Sequence, residues 1–198
     1  MSSTSISAPS IAVQWTQPSR GRVGMFALIA AELGIFTIFV VAYLFYIGKS
    51  LSGPSPKDVL EFPVFATVCL LSSSLTIHLA GLALRRSKTA VFRLWWFLTL
   101  TLGLIFLVQT AREWHHLIYE KRLTISTNLF GTTYYSLVGL HAFHVIIGLL
   151  GIATILMLAV FGKITAEATD RIDVFSLYWH FVDAVWIVVF VVVYVVGR

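Results

Sequence analysis

Residues 123–162 read LTISTNLFGTTYYSLVGLHAFHVIIGLLGIATILMLAVFG, forty residues without one Asp, Glu, Lys or Arg. A bilayer core about 30 Å thick takes about 20 apolar residues in a helix. The stretch therefore holds a transmembrane helix, expected at about 133–161. Four more runs meet the same length. The first is about 24–47, interrupted only by Glu32; the second is about 62–84, which has no formal charge but carries Ser72, Ser73, Ser74, Thr76 and His78. The third is about 92–114, apolar over 94–111 and continuing as helix through Arg112, Glu113 and Trp114. The fifth is about 174–196, broken only by Asp183. The expected fold is all-α: an integral membrane bundle of five transmembrane helices over residues 24–198, behind a polar N-terminal tail at 1–23.

Composition agrees. The 198 residues are 58% hydrophobic and 12% charged, whereas a soluble domain is about 45–50% apolar and about 25% charged. Such a chain cannot wet a globular surface. Cys69 is the only cysteine, so no disulfide forms within the chain. The net charge of +5 does not point to nucleic acid, because the positive residues sit in short connections between apolar runs. Arg85, Arg86, Lys88 and Arg93 crowd the second connection, and positive residues in short loops face the cytoplasm. A cytoplasmic N-terminus follows, with the C-terminus on the opposite side. Gly53, Pro54 and Pro56 among serines mark the first loop. The tail has no apolar core and is not a cleavable signal peptide.

Glu32, Glu113 and Asp183 fall within or at the ends of spans, as do His78, His141, His144 and His180. A charge at the bilayer centre costs about 2.5–3.5 kcal/mol on insertion scales, and a polar group in hydrocarbon needs a partner inside the bundle. Two readings follow. Each group is a hydrogen-bonding tie between helices, or the set serves proton transfer or metal ligation. His141 and His144 share one helix face, and so do His180 and Asp183, each pair being three residues apart. A di-iron bundle wants Glu-x-x-His pairs with further carboxylates from facing helices, and only Glu32 and Glu113 remain to supply them. A stand-alone b-type cytochrome, with His78, His141, His144 or His180 as haem ligands, is the rival of a different class. There is no nucleotide-binding glycine loop, nucleophile elbow or cysteine ligand cluster. Trp95, Trp96, Trp114, Trp179 and Trp186 are read as interfacial anchors or packing groups. Gly139, Gly148 and Gly151 are read as points of close helix approach. From the residues alone this is a bundle with a polar seam, a subunit of something larger, in which no metal, catalytic or cofactor-binding residue is assigned.

Four strings, in order, carry a family resemblance. The fifth span reads YWHFVDAVW, with Trp179, His180, Phe181, Asp183 and Trp186 in a Trp-His-Phe-x-Asp-x-x-Trp pattern. The fourth reads YYSLVGLHAFHVIIG, with Gly139, His141, His144, Val145 and Gly148. The third ends in QTAREW, with Gln109, Glu113 and Trp114, and the first, MFALIAAELGIFTIF, has a single glutamate. The chain resembles subunit III of the haem-copper terminal oxidases, the cytochrome c oxidase subunit III family, in a short five-span bacterial form. Longer members carry two further N-terminal spans, many have a histidine where this chain reads LAGLAL, and His78 has no clear family counterpart.

The resemblance implies a non-catalytic core subunit of a cytochrome c oxidase in aerobic respiration, in the bacterial cytoplasmic membrane. Haem and copper would belong to the partner subunits I and II and not to this chain. Subunit I would be the main contact, and structural phospholipid and support of proton uptake and turnover stability are implied with it. Glu32 would correspond to the family's carbodiimide-reactive carboxylate. Glu113, His180 and Asp183 are expected to tie the last three helices together, with His141 and His144 facing them or Glu32. Subunit III of a quinol oxidase, and the subunit III-like partner of a nitric oxide reductase, remain the neighbouring alternatives.

Overall fold

The structure is a computed structural model that describes residues 19–197. Its helices are α1 (Arg20–Tyr46), a single turn α2 (Pro56–Val59), α3 (Val64–Arg85), α4 (Thr89–Tyr119), α5 (Leu129–Val160) and α6 (Thr169–Phe190). A 3₁₀ turn, Ala166–Ala168, leads into α6, and a π-helical turn, Val191–Val196, continues it. Five of these elements are long and apolar enough to cross a membrane, and no strand occurs among the described residues. The chain is a multi-pass membrane protein.

Apart from α3, which at Val64–Arg85 matches its expected span, the helices outrun the spans expected from hydropathy. Both α4, with 31 residues, and α5, with 32, reach about 45 Å at about 1.5 Å per residue, so they project past the apolar layer. Hydropathy measures what the bilayer must cover, whereas a helix stops only where its backbone is capped or broken. At the start of α5, Asn128 does the capping: its Oδ1 accepts from the Gly131 N–H at 2.8 Å. At the end, Gly162 adopts φ +70° and the Gly162 and Lys163 N–H groups bond back to Ala159 and Leu158, which is a Schellman stop. The α3–α4 connection uses the same stop with Ser87 at φ 55°. Of the expected tail, residues 1–18 lie outside the described residues, and Arg20–Val23 already belong to α1, with Ser19 Oγ accepting from the Arg22 N–H.

Packing is uneven. α3 and α4 form the closest antiparallel pair; α5 packs on α4 and α1, and α6 packs against α3, α1 and α5. Inside, Trp96 Nε1 of α4 donates to the Ile152 carbonyl of α5 at 2.9 Å, and the Thr76 and Thr99 hydroxyls pair at 2.8 Å across α3 and α4. On α1 only Phe36 and Tyr43 are buried, while Phe26, Leu33, Ile38, Val41 and Phe45 are exposed.

Candidate functional site

The polar residues predicted from sequence divide into separate clusters. In the first, His144 of α5 meets Glu32 of α1, Nε2 to Oε2, at 3.1 Å. His144 Nδ1 lies 2.8 Å from the Leu140 carbonyl, which can only accept, so Nδ1 carries the hydrogen. The Glu32 contact is then either a protonated carboxyl donating to a neutral ring or an imidazolium donating to a carboxylate. Both forms leave the pair without net charge. Phe36 covers the ring at 4.9 Å between centroids.

His141, one helical turn before His144, makes neither of the contacts expected of it. It is fully buried and sits 4.9 Å from the Trp186 ring, with Phe106 edge-on at 5.8 Å. Among the described residues neither ring nitrogen has a hydrogen-bond partner.

The second cluster joins α3 to α6. Ser74 Oγ lies 2.8 Å from His180 Nδ1 and 2.5 Å from Asp183 Oδ2. The expectation that His180 and Asp183 tie the last three helices together is therefore corrected: their partner is on α3. The i, i+3 spacing does point both at one face, but that face looks toward α3, and the linear sequence carries no rotation angle for a helix. Asp183 is buried and His180 half-buried.

The third cluster does tie the last three spans. Glu113 Oε1 of α4 accepts from Tyr194 at 2.8 Å and from Tyr134 at 3.2 Å. Tyr134 belongs to α5, and Tyr194 to the π-helical turn after α6, where one extra residue per turn shifts the side-chain phase. Glu113 is only half-buried, as are Glu32 and Gln109. Gln109 is not an interior tie; it lies 3.5 Å from the Arg112 guanidinium on its own helix.

The tryptophans are packing keys. Trp179 donates from Nε1 to Ser73 Oγ at 2.8 Å, and its ring fills the space left by two glycines. A Cβ on Gly148 would lie 2.6 Å from that ring, and one on Gly103 would lie 3.1 Å from it. A Cβ on Gly151 would collide with Phe175. Gly139 is different, because its nearest neighbour would be Trp114 at 3.5 Å, an ordinary contact, so it is not a point of close approach. Trp186 donates to Thr67 Oγ1 at 3.1 Å. Sequence reasoning missed Ser73, Ser74, Gly103, Tyr134 and Tyr194 as partners. The signal was there for the serines, since three in a row inside an apolar span fan their hydroxyls over about 200° of the helix circumference.

These clusters join helices; among the described residues no group of three or more His, Cys, Asp or Glu side chains is arranged to hold a metal. A family model for cytochrome c oxidase subunit III matches residues 20–198. The chain is 35% identical to cytochrome c oxidase subunit 3 of Alkalihalophilus pseudofirmus over 177 residues, covering 88% of this chain and 86% of that one. It is 31% identical to the Corynebacterium diphtheriae protein of the same name over 194 residues, covering 96% and 94%. It is also 34% identical to cytochrome bo(3) ubiquinol oxidase subunit 3 of Pseudomonas aeruginosa over 176 residues, covering 88% and 84%. With the Trp-His-Phe-x-Asp-x-x-Trp string locked between α3, α4 and α5, and this similarity along almost the whole described chain, the protein belongs to the cytochrome c oxidase subunit III family.

Proposed function

We propose that the chain is a core subunit of a haem-copper terminal oxidase that holds no redox centre of its own, packs on subunit I, and sits in a bacterial cytoplasmic membrane with its N-terminus inside. The observation that carries the non-catalytic reading is how the histidines are occupied. Both nitrogens of His144 are engaged, Nδ1 of His180 is held by Ser74, His141 is enclosed by aromatic rings, and His78 is exposed. A haem between two of them would need ligands at one depth facing a common space. Haem and copper are then assigned to subunits I and II. The exposed apolar face of α1 supports contact with subunit I and with phospholipid, and support of proton uptake and turnover stability goes with that contact.

The test is the visible spectrum of the chain purified alone in mild detergent, followed by its capture from native membranes. A colourless chain that brings down a haem-bearing, oxygen-reducing subunit is the expected result. A stoichiometric, reducible haem band on the isolated chain overturns the reading in favour of a b-type cytochrome. The Pseudomonas aeruginosa relative is as similar as those named for cytochrome c, which supports a quinol-oxidising complex as the second reading. Oxidation of quinol but not cytochrome c by the captured complex selects it.

A further inference from the structure

At one end of the bundle α1, α3 and α6 surround a cavity of about 360 Å³ whose lining includes Arg22, His78, Arg85, Asp173, Ser176 and His180. Its mouth is charged but balanced. Arg22 pairs with Asp170 at 2.9 Å and lies 4.0 Å from Asp173, and Arg85 pairs with Asp173 at 2.6 Å. With each arginine already matched, the mouth does not select for an anion. Two cations, two carboxylates and an exposed imidazole make it a place for water. The lining also includes His180, whose Nδ1 meets Ser74, and Ser74 in turn meets the buried Asp183.

The hydrogen count at Ser74 makes this continuation active. A hydroxyl has one hydrogen, yet Ser74 Oγ is within bonding distance of both His180 Nδ1, at 2.8 Å, and Asp183 Oδ2, at 2.5 Å. Two complete arrangements satisfy both bonds. In one, Nδ1–H donates to Ser74 and Ser74 donates to an Asp183 carboxylate. In the other, an Asp183 carboxylic acid donates to Ser74 and Ser74 donates to a bare Nδ1. The two differ by the passage of a proton from ring to carboxyl. Asp183 lies about ten residues, or about 15 Å, beyond Asp173 along α6; it is 3% exposed, and its Oδ1 has no partner among the described residues.

We propose that His180, Ser74 and Asp183 form a proton-exchange site, fed by water in the Arg22–Asp173–Arg85 cavity, that loads and unloads a carboxyl group buried inside the bundle. A hydronium ion in the cavity gives its proton to His180 Nε2 and leaves as water. The Nδ1 proton moves to Ser74 Oγ as the original hydroxyl proton moves to Asp183 Oδ2. The ring ends neutral with its hydrogen on Nε2, the hydroxyl is regenerated, and the carboxylate has become a carboxylic acid. Of the other charged or titratable groups facing this path, Arg22 comes from α1, His78 and Arg85 from α3, and Asp170 and Asp173 from α6; Glu32 is turned to His144. The site is independent of which electron donor the complex uses.

The test is infrared spectroscopy of the intact complex on transfer to D₂O. The Asp183 carboxylic band is assigned by its loss in Asp183→Asn and its displacement in Asp183→Glu. In the unaltered protein the band is expected to shift faster than the buried backbone amides exchange. In Ser74→Ala the shift is expected to slow about a hundredfold, the lower range for a positioned proton-transfer group, and in Ser74→Thr, which restores the hydroxyl, to recover. A carboxyl that exchanges only with the buried amides overturns the proposal. So does an unchanged rate in Ser74→Ala, or the lack of any protonated Asp183 band across the accessible pH range. If Ser74→Ala fails to assemble, the carboxyl-to-amide comparison in the unaltered protein decides by itself.

Discussion

α1 and α6 have nearly the same hydropathy, yet 6% of the best window of the α1 span is buried against 50% for the α6 span. Apolar content cannot separate them, because lipid tails are as apolar as leucine and give no drive for one helix to seek another. What separates them is shape and polar chemistry. α6 brings Trp179 into the slot between Gly103 and Gly148, and gives His180 and Asp183 to Ser74 and Trp186 to Thr67. Among the described residues α1 reaches the other spans through the Glu32–His144 hydrogen bond and, at its N-terminal end, the ion pair of Arg22 with Asp170, while Thr37 bonds only back to its own helix at Leu33. A central helix in this bundle is one whose large residues have matching vacancies, and a peripheral one is a similarly greasy rod without them.

That contrast can be broken most directly at Trp179. Trp179→Ala removes a fully buried ring and is expected to cost about 3–5 kcal/mol, seen as a collapse of unfolding resistance in mixed micelles. Retention of the unaltered stability would mean that the slot is not what holds α6. Gly148→Ala approaches the same slot from the other side. Its new methyl meets the Trp179 ring at 2.6 Å, so a loss of about 1–3 kcal/mol is expected from overpacking. Gly139→Ala, on the same helix but with only an ordinary contact, should stay within about 0.5 kcal/mol. Equal effects at the two glycines would undo the distinction drawn between them.

Smaller effects sharpen the comparison. Glu113→Ala removes two tyrosine hydrogen bonds, and at about 0.6 kcal/mol for each bond inside a membrane protein the same unfolding assay should register about 1 kcal/mol. For α1, a double-mutant cycle over Glu32→Ala and His144→Ala should return a coupling of about 0.6 kcal/mol. A coupling as large as the Trp179 effect would make α1 as integral to the bundle as α6.

The number and order of spans were legible because every backbone polar group in lipid must be satisfied within its own segment, which forces each apolar run of sufficient length into a helix. The WHFVDAVW string was legible as an interior feature for the same reason that any acid in a span is. Its partner was not. His180 and Asp183 share a face, but whether α3, α4 or α5 stands opposite depends on the order of helices around the bundle, a property of packing rather than of spacing. Gly139 and Gly148 look alike as small residues in one apolar run, and only the arrival of Trp179 beside one of them distinguishes a vacancy that is used from one that is not. Tyr194 was beyond reach because the π-helical turn changes the register that a regular helix would give it.

The slot that receives Trp179 also sets an order of manufacture. Its walls, α4 and α5, leave the ribosome before the helix that fills it, as do Ser73, Ser74 and Glu113, each of which waits for a partner on the last span. Until α6 is inserted, the earlier spans stand in lipid with Ser74 lacking His180 and Asp183, Glu113 held by Tyr134 without Tyr194, and a groove lined by bare glycine backbone. Insertion of the final helix thus works as a keystone, completing every one of these at once, and a chain stalled before residue 169 would carry a visible signature for membrane quality control.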